Sequence, residues 1–502
     1  MADRSDALDK VRLPPEIDLH LREANPWWQG LPARVLPPYR RWAFTTLLRR
    51  LDAKVAPAIV LRGARQVGKT TLLEQIIQFL LTERRVDPKR ILRVQFEELA
   101  PILGLELPIL EILRWYQSSI LGRTLNQAAH AGEPAYVFLD EVQNLRDWAP
   151  QLKALVDHHT VQVIVTGSSA LRIEAGRDSL AGRITSLELG TLLLREIAGM
   201  RYGERIDPLL PPNGLQSFLD IDFWRGLEAH GIAHREVRDK AFADFSERGG
   251  YPLVYTRPDA AWSELADHLN ETVIRRVIQH DLRMGERGRR RDQTLLEEIF
   301  RLGCRYAGQA PSQALLIQEV KLALRADIGR QRILSYLRFL EGSLLLRLVQ
   351  PLELRLKKVR GPAKLCIVDH GLRASWLEES VPLDPLHLER VPDLTDLAGH
   401  IAESVVGAFF AGIPNLDVAH FPERATEPEV DFVLTIGEKR IPVEVKYRRR
   451  IDAHRDTLGL RSFLDKSHYN APFAVLVTML ENVDVRDPRI VPVSLRSLLL
   501  AR

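Results

Sequence analysis

Lys69 and Thr70 close the string Gly63-Ala64-Arg65-Gln66-Val67-Gly68-Lys69-Thr70, and the acidic pair Asp140-Glu141 follows some seventy residues later. Glycines at 63 and 68 let a backbone curl until successive N–H groups point inward at phosphate oxygens. The first turn of a following helix adds unpaired donors and the positive end of its dipole. Lys69 then reaches β- and γ-phosphates, the Thr70 hydroxyl is placed to ligand magnesium, and Thr71 lies in the same binding turn. The apolar run Ala58–Leu61 before the turn reads as a buried strand, and Thr71–Ile77 after it as an amphipathic helix. That context separates a phosphate loop from a chance lysine in an αβ turn. The expected ligand is ATP with Mg2+.

The second half of such a site needs carboxylates at the end of a neighbouring strand. Ala135-Tyr136-Val137-Phe138-Leu139 runs apolar straight into Asp140-Glu141, as a buried parallel strand does where it meets a ligand crevice. Asp140 would hold the metal directly or through water, and Glu141 would orient and deprotonate the attacking water. An acidic pair after a strand is also a common helix cap. The strand Val161–Gly167 leads into Ser168. Ser168 is the candidate sensor of the γ-phosphate or the water, with Thr166 and Ser169 as alternatives. Arg183 could reach the phosphates of an adjacent subunit and neutralise charge in the transition state, or could sit in a structural salt bridge.

A second chemical group stands near the C-terminus. Glu429–Leu434 and Lys439–Lys446 read as two strands joined at Gly437-Glu438. Glu444 and Lys446 are two apart and share a face of the second strand, Asp431 opens the first, and Glu403 lies on an amphipathic helix upstream. Two carboxylates on a hairpin, Asp431 and Glu444, with Lys446 beside them and Glu403 from the helix, would make a magnesium site with an adjacent cation. The metal would polarise a phosphodiester and the lysine position or activate a water. Glu-x-Lys alone is frequent on surface strands.

The strings Gly-x-Arg-Gln-Val-Gly-Lys-Thr-Thr-Leu-Leu, Leu-Asp-Glu-Val-Gln-Asn-Leu-x-Asp-Trp, Thr-Gly-Ser-Ser and Leu-Ala-Gly-Arg together resemble a widespread family of bacterial and archaeal AAA+-type ATPases. Arg248-Gly249-Gly250-Tyr251-Pro252 matches that family's Gly-Gly-x-Pro element, a rigid kink suited to a lid hinge. The resemblance implies a C-terminal part combining a winged helix with a nuclease-like fold. The carboxylate hairpin itself resembles the restriction-endonuclease-like, PD-(D/E)-x-K fold, whose members cleave or only bind.

The implied fold class is α/β: a RecA-like P-loop core, a winged-helix connector and a C-terminal α/β nuclease-like domain. The expected divisions are an arm at 1–37, the ATPase core at 38–200, a lid or linker at 201–265 with an apparent insertion near 201–238, the winged helix at 266–395 and the nuclease-like domain at 396–502. Segments 294–307, 312–324 and 328–341 read as three helices. Strand 344–349, a basic turn at 355–360 and strand 364–368 complete the winged-helix order. Arg330, Arg332 and Arg338 make the third helix basic, which suits phosphate contacts; lids and protein contacts are the other uses of such a module.

With 70 Lys and Arg against 66 Asp and Glu, the net charge of +4 does not by itself imply nucleic acid. Two cysteines exclude a disulfide framework and point to a reducing compartment. No apolar run is long enough to span a bilayer and the N-terminus is no secretory signal, so a cytoplasmic protein without a membrane partner is expected. The expected activity is ATP hydrolysis directed at duplex or branched DNA by a homo-oligomer, such as a hexameric ring, with magnesium-dependent cleavage as an added capability. The alternative is a nucleotide-dependent switch whose nuclease-like domain only docks. A defence or toxin–antitoxin-like role is a third.

Overall fold

The computed structural model describes residues 12–96, 100–168, 180–211, 213–281, 290–326, 328–353, 361–423 and 427–502. Ser169 and the basic turn at 355–360 fall outside them. The chain divides into two compact units, Met1–Leu189 and Gly190–Arg502. Among the described residues no helix is long and apolar enough to cross a membrane.

The first unit is built on a parallel sheet of β1 (Ala58–Arg62), β2 (Ile91–Gln95), β3 (Tyr136–Asp140), β4 (Gln162–Gly167) and β5 (Ile184–Glu188), in the order β2-β3-β4-β1-β5. β1, β3 and β4 are buried along nearly their whole length, which is why they read as unbroken apolar runs. β4 lies between the strand that feeds the phosphate loop and the strand that ends in Asp140. The carboxyl ends of all three therefore open on one crevice.

The edge strand β2 is closed by a side chain. Buried Asn25 donates to the Arg93 carbonyl (2.9 Å) and accepts from the Arg93 N–H (2.7 Å), so its amide pairs as a neighbouring strand would. β5 follows directly on Arg183 and was not legible as a strand. The segment between β2 and β3 is not one continuous helix. Helix Pro108–Tyr116 runs into a wide turn, Gly122 adopts φ +72°, and Thr124 caps a new helix, Leu125–His130. A left-handed glycine is a natural stop.

The second unit carries a seven-stranded sheet: β6 (Leu346–Pro351), β7 (Lys364–Ile367), β8 (Asp417–Phe421), β9 (Val430–Ile436), β10 (Lys439–Lys446), β11 (Ala474–Thr478) and β12 (Ile490–Ser494). Its order is β12-β11-β10-β9-β8-β6-β7. Helices Arg290–Arg305, Gln313–Leu324 and Arg330–Gly342 precede the antiparallel pair β6–β7. β6 also pairs with β8, so one sheet runs across the division expected at 395/396. The expected end of the core at 200 falls inside helix Leu194–Tyr202.

The segment expected as an insertion is packed into this unit. Helix Ile221–Ala233 buries Trp224 against Phe218 and Phe410, and Glu228 accepts from the Ser494 N–H at 2.9 Å. The Gly-Gly-x-Pro element has a local reason. Asp369, fully buried, accepts from Gly250 N–H (2.6 Å) and Gly371 N–H (2.9 Å), and a Cβ on Gly249 would stand 2.1 Å from its carboxylate. Burial pushes the Asp369 carboxyl up to about 7.

Candidate nucleotide site and a second carboxylate cluster

The phosphate loop turns at Gln66 (φ 62°) and Gly68 (φ 90°), both left-handed. Gly63 serves a different purpose, because a Cβ there would meet the Leu189 carbonyl oxygen at 2.4 Å. The loop is tied down from outside where buried Arg41 donates to the Val67 carbonyl at 2.8 Å. Helix Lys69–Thr82 starts at the end of the loop, with Thr70 and Thr71 in its first turn. Lys69 is buried; its ammonium donates to the Gly63 and Ala64 carbonyls (3.1 and 3.0 Å) and lies 3.4 Å from Glu141 Oε1.

Asp140, 0% exposed, is shared by two hydroxyls. Thr70 donates to Oδ2 at 2.9 Å and Thr166 to Oδ1. Burial pushes its carboxyl above the usual range, helped by the charge of Glu141 and opposed by Thr166, Arg93 and Thr70. Glu141 sits at φ 55°, a strained conformation for a glutamate, held where its N–H donates to Thr166 Oγ1 at 3.0 Å. Burial alone would raise Glu141, but Lys69, Gln143 and Arg65 outweigh it and hold the carboxyl below its ordinary value. The group is thus ionised, as a base must be.

Gln143 is one residue that sequence reasoning missed. Its amide donates to both Glu141 Oε2 and Ser168 Oγ (2.9 Å), joining the end of β3 to the end of β4. A polar residue two places after the acidic pair, ahead of an apolar helix, was the available signal. Arg93 on β2 was also missed; it lies 3.9 Å from Asp140 and 3.1 Å from Glu74. Gln143→Leu keeps the bulk and removes the tether. We expect it to lower the ATPase rate about tenfold or more with little change in nucleotide affinity, as steady-state rates and a nucleotide titration would reveal.

Magnesium fits the two side chains expected to hold it. Ligands about 2.0–2.1 Å from such an ion stand about 2.9 Å apart on adjacent octahedral corners, and Thr70 Oγ1 and Asp140 Oδ2 are 2.9 Å apart. Arg183 is elsewhere. Its carbonyl accepts from the Ala58 N–H at the start of β1, so it lies at the opposite end of the sheet from the phosphate loop, about 16 Å along the strand. Its guanidinium pairs with Asp157 at 2.5 Å.

In the second unit the expected carboxylates do come together. Glu444 on β10 follows the Val443–Phe432 rung, and Asp431 Oδ2 accepts from the Val445 N–H at 2.8 Å. Lys446 pairs with Glu444 Oε1 at 2.5 Å. Glu403, on helix Thr395–Ala411, and Asp431 are bridged by a residue not anticipated at all, Lys364 of β7. Against burial, Asp431 and Glu403 hold the Lys364 ammonium well above its ordinary value. Burial and the charge of Asp431 push Glu444 up to about 8. Among the described residues no group of three His, Cys, Asp or Glu side chains is disposed to hold a metal ion.

Residues 55–198 match the AAA domain family. The matched region takes in the phosphate loop, Asp140, Glu141, Gln143 and Ser168, and supports an AAA-type ATPase core. Such a core implies nucleotide binding, usually with magnesium. Residues 239–382 and 398–497 match two domains of unknown function, DUF8612 and DUF4143. An uncharacterized protein of Methanocaldococcus jannaschii is 27% identical over 354 residues, 69% of this chain and 68% of that protein. An uncharacterized protein of Haemophilus influenzae is 21% identical over 317 residues, 62% of this chain and 68% of that protein. A Walker-type ATPase of Pyrococcus abyssi is similar at 14% identity and a TM-score of 0.43, covering 69% of this chain and 99% of that chain.

Proposed function

We propose that the chain hydrolyses ATP in its AAA domain and that the cycle is directed at DNA. The observation that carries hydrolysis is the placement of Glu141. Its carboxylate is ionised, buried and fixed between Lys69 and Gln143 at the mouth of the crevice. Magnesium, when bound, would supply charge neutralisation at the phosphates. Lys69 leaves its loop carbonyls for the β- and γ-phosphates, and loop and helix N–H groups bind phosphate oxygens. Glu141 orients a water and takes its proton, while Ser168 stands opposite across Gln143.

The DNA reading is supported by Arg330, Arg332 and Arg338, all exposed on helix Arg330–Gly342. The distance of Arg183 from its own phosphate loop supports a homo-oligomer, such as a ring, in which it serves a neighbour. Cleavage would require Glu403, Asp431, Glu444 and Lys446 to take up magnesium. The contact of Lys364 with Glu403 and Asp431 instead favours the second reading for this part of the chain, a nuclease-like domain that docks on nucleic acid or protein without cutting.

The test compares wild type, Lys69→Ala and Glu444→Ala on duplex, single-stranded and branched DNA with ATP and magnesium. Lys69→Ala should abolish hydrolysis, and DNA should raise the wild-type rate in a manner that fades with added salt. A rate indifferent to every DNA, with nucleotide retained, would replace DNA direction by the switch. Cleavage by wild type that is lost in Glu444→Ala would restore the nuclease.

A further inference from the structure

We infer that Lys364 is the resident cation of the C-terminal carboxylate cluster, occupying the place that a divalent metal would otherwise take. The argument is spatial. The Lys364 ammonium is 3.1 Å from Asp431 Oδ1, in contact with Glu403 Oε1 and 3.4 Å from Glu429 Oε1. A magnesium ion on the same oxygens would stand about 2.0–2.1 Å from each, in the volume the ammonium fills. The second oxygen of Asp431 is committed to the Val445 N–H.

Lys364 is also poorly able to withdraw. It is 1% exposed, its backbone is paired with Val349 in β6, and its ammonium lies 5.2 Å from the centre of the Phe432 ring. Charge completes the picture. Glu403, Asp431 and Glu444 already face two ammonium groups, Lys364 and Lys446. These two ammoniums offset part of the carboxylate charge that would otherwise draw a dication in. Glu444 Oε2 is buried with no hydrogen-bond partner among the described residues. One carboxylate oxygen beside an ammonium is a poor offer to a hard cation that takes six oxygens.

Mn2+ alone, without nucleotide, is the probe, titrated into the full chain and followed by the paramagnetic signal of the free ion. Wild type and Asp431→Asn should bind it equally. Lys364→Ala should bind about tenfold more tightly or better, since a like charge beside the ion has gone, at a site that disappears in Lys364→Ala/Asp431→Asn. Wild-type binding that Asp431→Asn removes would overturn the inference. So would a folded Lys364→Ala, checked by circular dichroism, that binds no better than wild type. If Lys364→Ala does not fold, the wild-type and Asp431→Asn pair decides alone. No nucleotide enters the experiment, so its result is independent of the ATPase.

Discussion

Glu141→Gln is expected to slow ATP hydrolysis by about 10²–10⁴-fold while leaving ATP affinity within a few-fold of wild type. The amide keeps the shape of the side chain but cannot accept a proton from water. Binding should survive because the phosphate contacts come from Lys69, the loop and the first turn of helix Lys69–Thr82. The ion pair between Lys69 and Glu141 is lost in the variant, which frees Lys69 for phosphate, so affinity should rise if it moves at all. Steady-state hydrolysis and a fluorescent-nucleotide titration separate the two effects. Because Glu141 is held below the ordinary glutamate range, its contribution is present above that range and is lost only as pH falls through its lowered value. A variant that hydrolyses ATP at the wild-type rate would remove Glu141 as the base.

Glu481→Ala is expected to destabilise the second unit by about 3–5 kcal/mol, the usual cost of stripping the partner from a buried charge. Arg238 is 0% exposed and pairs with Glu481 and, at 2.7 Å, with Asp239. Arg496 pairs with the same two carboxylates at 3.0 and 3.8 Å. Deleting Glu481 leaves two largely buried guanidiniums with Asp239 as their shared carboxylate. Urea unfolding should lose the transition of this unit first, with nucleotide binding by the AAA domain retained. Equal stability of wild type and variant would mean that Asp239 alone compensates both arginines.

Both candidate sites were legible because their chemistry is written locally. Lys69 and Thr70 are neighbours in sequence, Asp140 and Glu141 end a strand whose apolar run announces itself, and Glu444 and Lys446 alternate on one face. What escaped notice depends on contacts between distant segments. Asn25 imitates a strand only because β2 is an edge, and Lys364 becomes a cluster member only when β7 is brought beside helix Thr395–Ala411. Gln143 needed β4 next to β3 before its reach to Ser168 had any meaning. β5 hid because three of its five residues, Thr185, Ser186 and Glu188, are polar and only partly buried, unlike the run in β3. The role of Gly63 was also misjudged in kind. It is set by a carbonyl more than a hundred residues away in the chain rather than by the turn it opens.

The sheet that passes from β7 through β6 and β8 to β10 has a mechanical consequence. A hydrogen-bonded ladder resists shear, so a load applied to helix Arg330–Gly342, which leads into β6, travels along it instead of being absorbed by a flexible joint. A load on the exposed face of that helix would then be felt at Asp431 and Glu444 a few strands away, as a push on a lever is felt at its far end.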